Sequence, residues 1–256
     1  MIIDTQIISY CYSGRWDCAE AMGTEISSVT ASEFLLFHTR KNGSVDYYVI
    51  NFDKYGVRHL GAFIYDFLKY ANNSKWAKMG SSRTDSIIIN FSRDHQSYRI
   101  FGNEAITTII NNRNLKAFKF CISHLDKRIQ KMLKKKMEFI LDNGISCHSV
   151  NDAICNTGMI LFEKFSRNNN PKNNIKNTMN DILILSTAIE KGIPLRTADK
   201  VLNRFAANEF SGKITKQEKS IIVKFPLSEE NRVKVKCDSK GYINKGWFYS
   251  FSKGNL

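Results

Sequence analysis

The stretch Asn177–Asn203 constrains the fold more than any other part of the chain. It opens with Asn177 and Thr178, side chains that accept hydrogen bonds from free helix N–H groups. An apolar run with helical spacing follows (Ile182, Leu183, Leu185, Ala188, Ile189), closed by Lys191 and Gly192 in the order that ends helices. Ile193–Thr197 reads as a short buried strand and Ala198–Ala206 as a second helix. Helix, strand and helix in succession belong to α/β folds with parallel sheets. Two acids occupy special places in this unit. Asp181 is expected in the first turn of its helix and Asp199 just past the carboxyl end of the strand, the edge where open parallel sheets bind ligands. A first-turn acid also has a purely structural use, since it favours the helix dipole by roughly 0.3–1 kcal/mol. Chemistry at these positions therefore depends on other acids joining them.

The N-terminus supplies one. Met1-Ile2-Ile3 continues through Asp4-Thr5 to Ile7-Ile8, an apolar start suited to a central parallel strand buried on both faces. Asp4 falls where that strand ends. A carboxylate there is costly unless paired, hydrogen-bonded or bound to a cation, although an Asx turn with Thr5 or Gln6 is the structural alternative. Glu33 is the fourth acid. It is expected in the first turn of a helix Ala31–His38, where Thr30-x-x-Glu33 also fits a capping box.

Between these pieces the chain changes character. Lys41–Ala117 reads as an α+β insert: a strand Val45–Phe52, a helix Leu60–Ala71, a polar loop Asn72–Arg83, a hairpin of Ser86–Phe91 with Tyr98–Phe101, and a helix Glu104–Asn111. Lys75, Lys78, Arg83 and Arg93 alternate with aromatic residues there, as suits RNA phosphates and stacked bases. A long helix His124–Asn143 buries Ile129, Met132, Leu133, Phe139 and Ile140 and presents Lys127, Arg128, Lys131, Lys134, Lys135 and Lys136 as a solvated face. Ser149–Phe165 forms a further helix capped by Ser149 or Asn151, and the Asn-rich Ser166–Asn177 a loop. Ser220–Phe225 reads as the last strand of the main sheet. Beyond it, Arg232–Cys237 and Trp247–Phe251 are strand-like in a basic tail with Lys234 and Lys236. The expected division is a discontinuous domain 1–225, with core 1–40 and 118–225 and insert 41–117, followed by a tail 226–256.

Composition narrows the function classes. Lys and Arg number 38 against 24 Asp and Glu in 256 residues, a net charge of +14 that favours a polyanionic partner such as nucleic acid. No apolar run approaches the ~20 residues of a membrane span, and the start has no basic region typical of a secretory signal, so a cytoplasmic location is expected. The six cysteines form no C-x-x-C pair and read as reduced thiols. Cys147–His148 alone is too little for zinc.

If Asp4, Glu33, Asp181 and Asp199 converge at the carboxyl edge of one sheet, their mutual repulsion calls for a divalent cation. Hard oxygen ligands with room for water select Mg²⁺ or Mn²⁺, which activate water and stabilise a leaving oxygen in phosphodiester cleavage. A basic surface around such a pocket suits a nuclease.

Four pieces in this order resemble the PIN-domain nucleases: Ile2-Ile3-Asp4-Thr5, Ser27–Leu36 around Glu33, Asn180-Asp181 with the apolar run to Ala188, and Ile193-Pro194-Leu195-Arg196-Thr197-Ala198-Asp199-Lys200. The resemblance covers roughly 1–40 and 150–225 and leaves out the insert and tail. It implies a short parallel sheet between helices and a metal-dependent endoribonuclease acting on single-stranded or structured RNA. Asp4, Glu33, Asp181 and Asp199 would hold Mg²⁺ or Mn²⁺, and Thr5 and Thr197 would hydrogen-bond those carboxylates or their water. The implied setting is a toxin with its protein antitoxin, a defence nuclease or an RNA-processing enzyme; a second copy of the chain is another expected partner. The alternatives are a PIN-like module that binds RNA or protein without cutting, and a structure-specific DNA nuclease.

Overall fold

A computed structural model describes residues 1–36, 86–91, 96–123, 125–168, 175–210, 213–217, 220–224 and 247–251. In chain order its elements are β1 (Ile2–Ile3), α1 (Thr5–Tyr12), a 3₁₀ turn (Cys18–Ala21), β2 (Glu25–Ser27), α2 (Ser28–Phe34), β3 (Ser86–Phe91), β4 (Gln96–Phe101), α3 (Asn103–Asn111), α4 (Leu115–Cys121), α5 (Lys127–Asp142), β5 (Ser146–His148), α6 (Asp152–Asn168), α7 (Ile175–Lys191), β6 (Leu195–Thr197), α8 (Lys200–Phe210), β7 (Lys213–Gln217), β8 (Ser220–Lys224) and β9 (Trp247–Phe251).

The chain divides into two compact units. The first comprises 1–34 and 139–240, the second 35–138 and 241–256. The expected insert, 41–117, is thus the inner part of a longer segment that takes in α4 and most of α5. Residues 241–256 also go with the second unit instead of forming a separate tail, because β9 pairs in parallel with β3. The second unit contains the expected hairpin, with β3 and β4 antiparallel from Ser86↔Phe101 to Phe91↔Gln96, in a three-stranded sheet of order β4-β3-β9. The expected elements at Val45–Phe52, Leu60–Ala71, Asn72–Arg83 and Arg232–Cys237 lie outside the described residues, as do Lys75, Lys78, Arg83, Arg93, Lys234 and Lys236.

The first unit is α/β: a short four-stranded parallel sheet, β5-β2-β1-β6, flanked by helices. Two antiparallel strands, β8 and β7, extend it beyond β6. The chain starts at β1, steps outward through β2 to β5, then returns to β6 on the other side of β1. Adjacent parallel strands thereby diverge in connection between β1 and β6, the arrangement that opens a crevice outside their carboxyl ends. Ile2, Ile3, Ile26 and Leu195 are fully buried, as befits strands covered on both faces. Arg196, on the face of β6 opposite Leu195 and Thr197, is only 4% exposed; its guanidinium meets Glu20 and lies 5.7 Å from the Trp16 ring centre.

The helix α7 is buried almost all round from Ile182 to Ala188, the signature of a core helix. Its Ser186 and Thr187 hydroxyls satisfy themselves, donating to Ile182 O and Leu183 O at 2.7 Å each. Gly192 (φ 64°) ends it, with Ile193 N–H bonded to Ala188 O at 3.0 Å, so the positive φ required there is met by glycine. Close packing of α6 on α7 depends on Gly158, where an added Cβ would lie 2.9 Å from Leu183 Cδ2. Cys11, Cys121, Cys147 and Cys155 are buried and in no disulfide, and burial pushes the pKa of the Cys121 thiol up to about 12. No described helix is long and apolar enough to cross a membrane.

Candidate active site

Asp4 follows β1 directly and is 6% exposed. The strand is shorter than the apolar run promised, because Asp4 Oδ1 accepts from Ile7 N at 2.8 Å and starts α1. Its Oδ2 accepts from the Thr197 hydroxyl and from Ala198 N at 3.3 Å. Asp4 has no basic partner among the described residues. Burial raises its pKa above the ordinary carboxyl value, opposed by the hydrogen bonds from Thr197, Ile7 and Ala198, and the charge of Asp199 adds to the rise.

Asp199 follows β6, the strand next to β1, and caps α8: Oδ1 accepts from Val201 N at 2.7 Å and Leu202 N at 3.0 Å. Its own N–H donates to Thr197 Oγ1 at 3.0 Å. Thr197, fully buried, therefore links the Asp4 carboxylate to the backbone of Asp199.

Glu33 stands elsewhere than expected. The helix α2 begins at Ser28, with the Ser27 hydroxyl accepting from Thr30 N at 3.0 Å, so Ser27 replaces Thr30 as the capping group. Glu33 lies in the last turn of α2 and not the first. The capping-box reading fails, and the helix dipole offers no reason for an acid there. Its carboxylate instead accepts from Thr5 Oγ1 and from Asn180 Nδ2. Asp181 is likewise displaced: α7 begins at Ile175, which puts Asp181 in the second turn and Asn177 and Thr178 inside the helix.

The hydrogen bonds join these positions into one neighbourhood. Asp4 is tied to Asp199 through Thr197, its neighbour Thr5 to Glu33, and Glu33 to Asn180 beside Asp181. Three further residues stand here to which the sequence assigns no site role, although Asn180 lies in a piece that carries the resemblance. Asn180 is 4% exposed and binds Glu33. Lys176, one turn before Asn180, has its pKa lowered by burial, with Glu33 opposing that shift. Asn203, one turn after Asp199, is 3% exposed; its Nδ2 donates to Thr197 O at 3.4 Å and its Oδ1 has no partner among the described residues. Their shared sequence signal is spacing by one helical turn around or beside an acid.

The donor set is carboxylate, hydroxyl and amide oxygen, the hard ligands of Mg²⁺ or Mn²⁺. A buried Asp4 carboxyl with no basic side chain beside it among the described residues is the kind of group a divalent ion would stabilise. Among the described residues, however, no three His, Cys, Asp or Glu side chains stand close enough together to share one ion. The expected four-carboxylate cluster is open for a local reason: Asp4, Asp199 and Glu33 are each turned toward the N–H and O–H donors just described. Compared with family models, curated proteins and solved structures, the chain matches none.

Proposed function

We propose that the protein is a Mg²⁺- or Mn²⁺-dependent endoribonuclease of the PIN-domain kind, cutting single-stranded or structured RNA in a toxin, defence or processing role. The observation that carries this reading is that the Thr197 hydroxyl bonds both the Asp4 carboxylate and the Asp199 backbone N–H at the carboxyl ends of β1 and β6, where the sheet's connections diverge, with Glu33 bonded to the residue after Asp4. Glu33 and Asp181 also lack the first-turn placement that would explain them as helix-dipole acids. On this reading Asp4, Glu33, Asp181 and Asp199 would turn from the donors they now face to hold the ion, which would supply an activated water and neutralise charge on the phosphate. Thr197 and Thr5 orient the carboxylates, and Asn180 holds Glu33. A protein antitoxin or a second copy of the chain belongs to this proposal as partner.

The experiment is incubation of total RNA, and of matched RNA and DNA strands, with Mn²⁺, with EDTA, and with the Asp181→Asn protein. Cleavage of RNA with metal alone, lost in Asp181→Asn, is expected. Cleavage of DNA in preference to RNA would make it a DNA nuclease. One observation favours a second reading, a module that binds without cutting: no three acids converge among the described residues. Binding of RNA with no metal-dependent product would establish that instead.

A further inference from the structure

The cations of α5 are not equivalent. Lys127, Arg128, Lys131 and Lys135 are exposed, and their side chains meet no partner among the described residues. Lys134 is engaged with Glu138 at 3.4 Å, and Lys136 is half-buried with its ammonium 3.2 Å from Leu36 O. At about 100° per residue the four exposed cations fall within one arc of roughly 100°. Leu133 and Met137, on the other side of the helix, are buried at 1% and 0% exposure. Lys127, Lys131 and Lys135 follow one another every four residues, a row that winds by about 40° per step while rising about 6 Å along the axis.

A partner for this row must be anionic and linear. An acidic protein is the poorer fit, because protein interfaces need an aromatic or aliphatic anchor and are depleted in lysine at their centre. Among the described residues the exposed large hydrophobic side chains are Met22 and Val201, both in the other unit. A phosphate backbone needs no such anchor; it is held by rows of Lys and Arg that displace counterions. The chain's overall +14 charge acts in the same direction.

We infer that the exposed row Lys127, Lys131 and Lys135, flanked by Arg128, is a track for the phosphate backbone of a single RNA strand. Only the choice of RNA rests on the nuclease reading; the track itself does not need the acidic site.

The test measures binding of a fluorescent oligouridylate by the full-length protein in EDTA, across a range of salt. Each phosphate contact contributes about −0.7 to the log–log slope for a single strand. The triple variant Lys127→Gln, Lys131→Gln, Lys135→Gln should flatten the slope by about 2, so that a fourfold rise in salt costs it roughly 20-fold less affinity than it costs the parent. Lys134→Gln, already paired, should leave the slope unchanged. Since the exchanged residues are exposed, melting should not move. An unaltered slope in the triple variant, an equal effect from Lys134→Gln, absence of oligouridylate binding by the parent, or tighter binding of polyglutamate than of RNA would each overturn the track. A parent that binds in this way yet cuts nothing with Mn²⁺ would sink the nuclease reading and leave the track standing.

Discussion

The Thr197 hydroxyl donates to Asp4 and, through the same oxygen, accepts the amide of Asp199, so a single side chain couples the ends of two neighbouring parallel strands. Thr197→Val keeps the β-branched shape suited to a strand and removes only this coupling. It leaves Asp4 Oδ2 with the 3.3 Å contact to Ala198 N and should cost roughly 1–3 kcal/mol at neutral pH. Thr197→Ser retains the hydroxyl and should lose less. Urea denaturation of the metal-free proteins checks this; a Val variant as stable as the parent would show that the hydroxyl is dispensable.

Asp4 makes stability depend on pH in a definite direction. Burial raises its pKa in the folded protein. The folded state therefore holds this proton more tightly than the unfolded chain. Asp4's favourable contribution is complete below the ordinary value of 3.8 and is lost as pH rises through the elevated folded value. Asp4→Asn, which can still cap α1, should abolish that dependence. Measured without metal, its melting temperature relative to the parent should be higher at pH 7 than near pH 4. A difference that does not vary with pH would mean that Asp4 is ionised as easily as in the unfolded chain.

How much of this was readable from sequence varies with the range of the interaction involved. The α/β class, Asp4 after β1 and Asp199 after β6 follow from apolar runs ended by an acid, a local pattern. The hairpin β3/β4 and the Gly192 stop are local too, and both appear. The placement of Glu33 is not: Thr30-x-x-Glu33 fits a capping box, but Ser27 lies at the end of β2 and captures the Thr30 amide first. Asn177 and Thr178 look like caps and so place Asp181 in a first turn, whereas Thr178 is buried within the helix. The association of β9 with β3 joins residues far apart in sequence, for which no local pattern exists.

Packing of α6 on α7 gives a test of the core. A methyl at position 158 would meet Leu183 Cδ2 at 2.9 Å and Ser186 Oγ at 3.4 Å. Leu183 is itself fully buried, so its side chain has little room to yield. Gly158→Val should destabilise by about 1–3 kcal/mol through overpacking, despite removing a helical glycine. Adding Leu183→Ala should cost less in the Gly158→Val protein than in the parent, because the space vacated relieves the clash. A double-mutant cycle by calorimetry measures the coupling; strictly additive losses would show that the two residues do not compete for one volume.

Asn203 carries the sharpest distinction between a structural and a functional residue. Its amide nitrogen must face Thr197 O, since a carbonyl only accepts, and this turns Oδ1 away to where no described residue partners it. A buried acceptor left unmet costs roughly 1–3 kcal/mol, more than a 3.4 Å hydrogen bond is expected to return. Asn203→Leu has a similar volume and removes both effects, so it should raise the metal-free melting temperature by about 2–4 °C, the shift expected from ~1 kcal/mol in a chain of this size. If the acidic site is catalytic, the same variant should cut RNA more slowly, because the strand end carrying Thr197 is no longer held and Thr197 orients Asp4. Stability gained together with activity lost is the pattern of a residue kept for its site. Asn203→Asp should behave oppositely, strongly destabilised at pH 7, where a buried carboxylate would face a carbonyl, and partly restored in acid as its proton becomes a donor. A Leu variant that melts several degrees lower would show that Oδ1 is satisfied in solution and that the residue serves the fold.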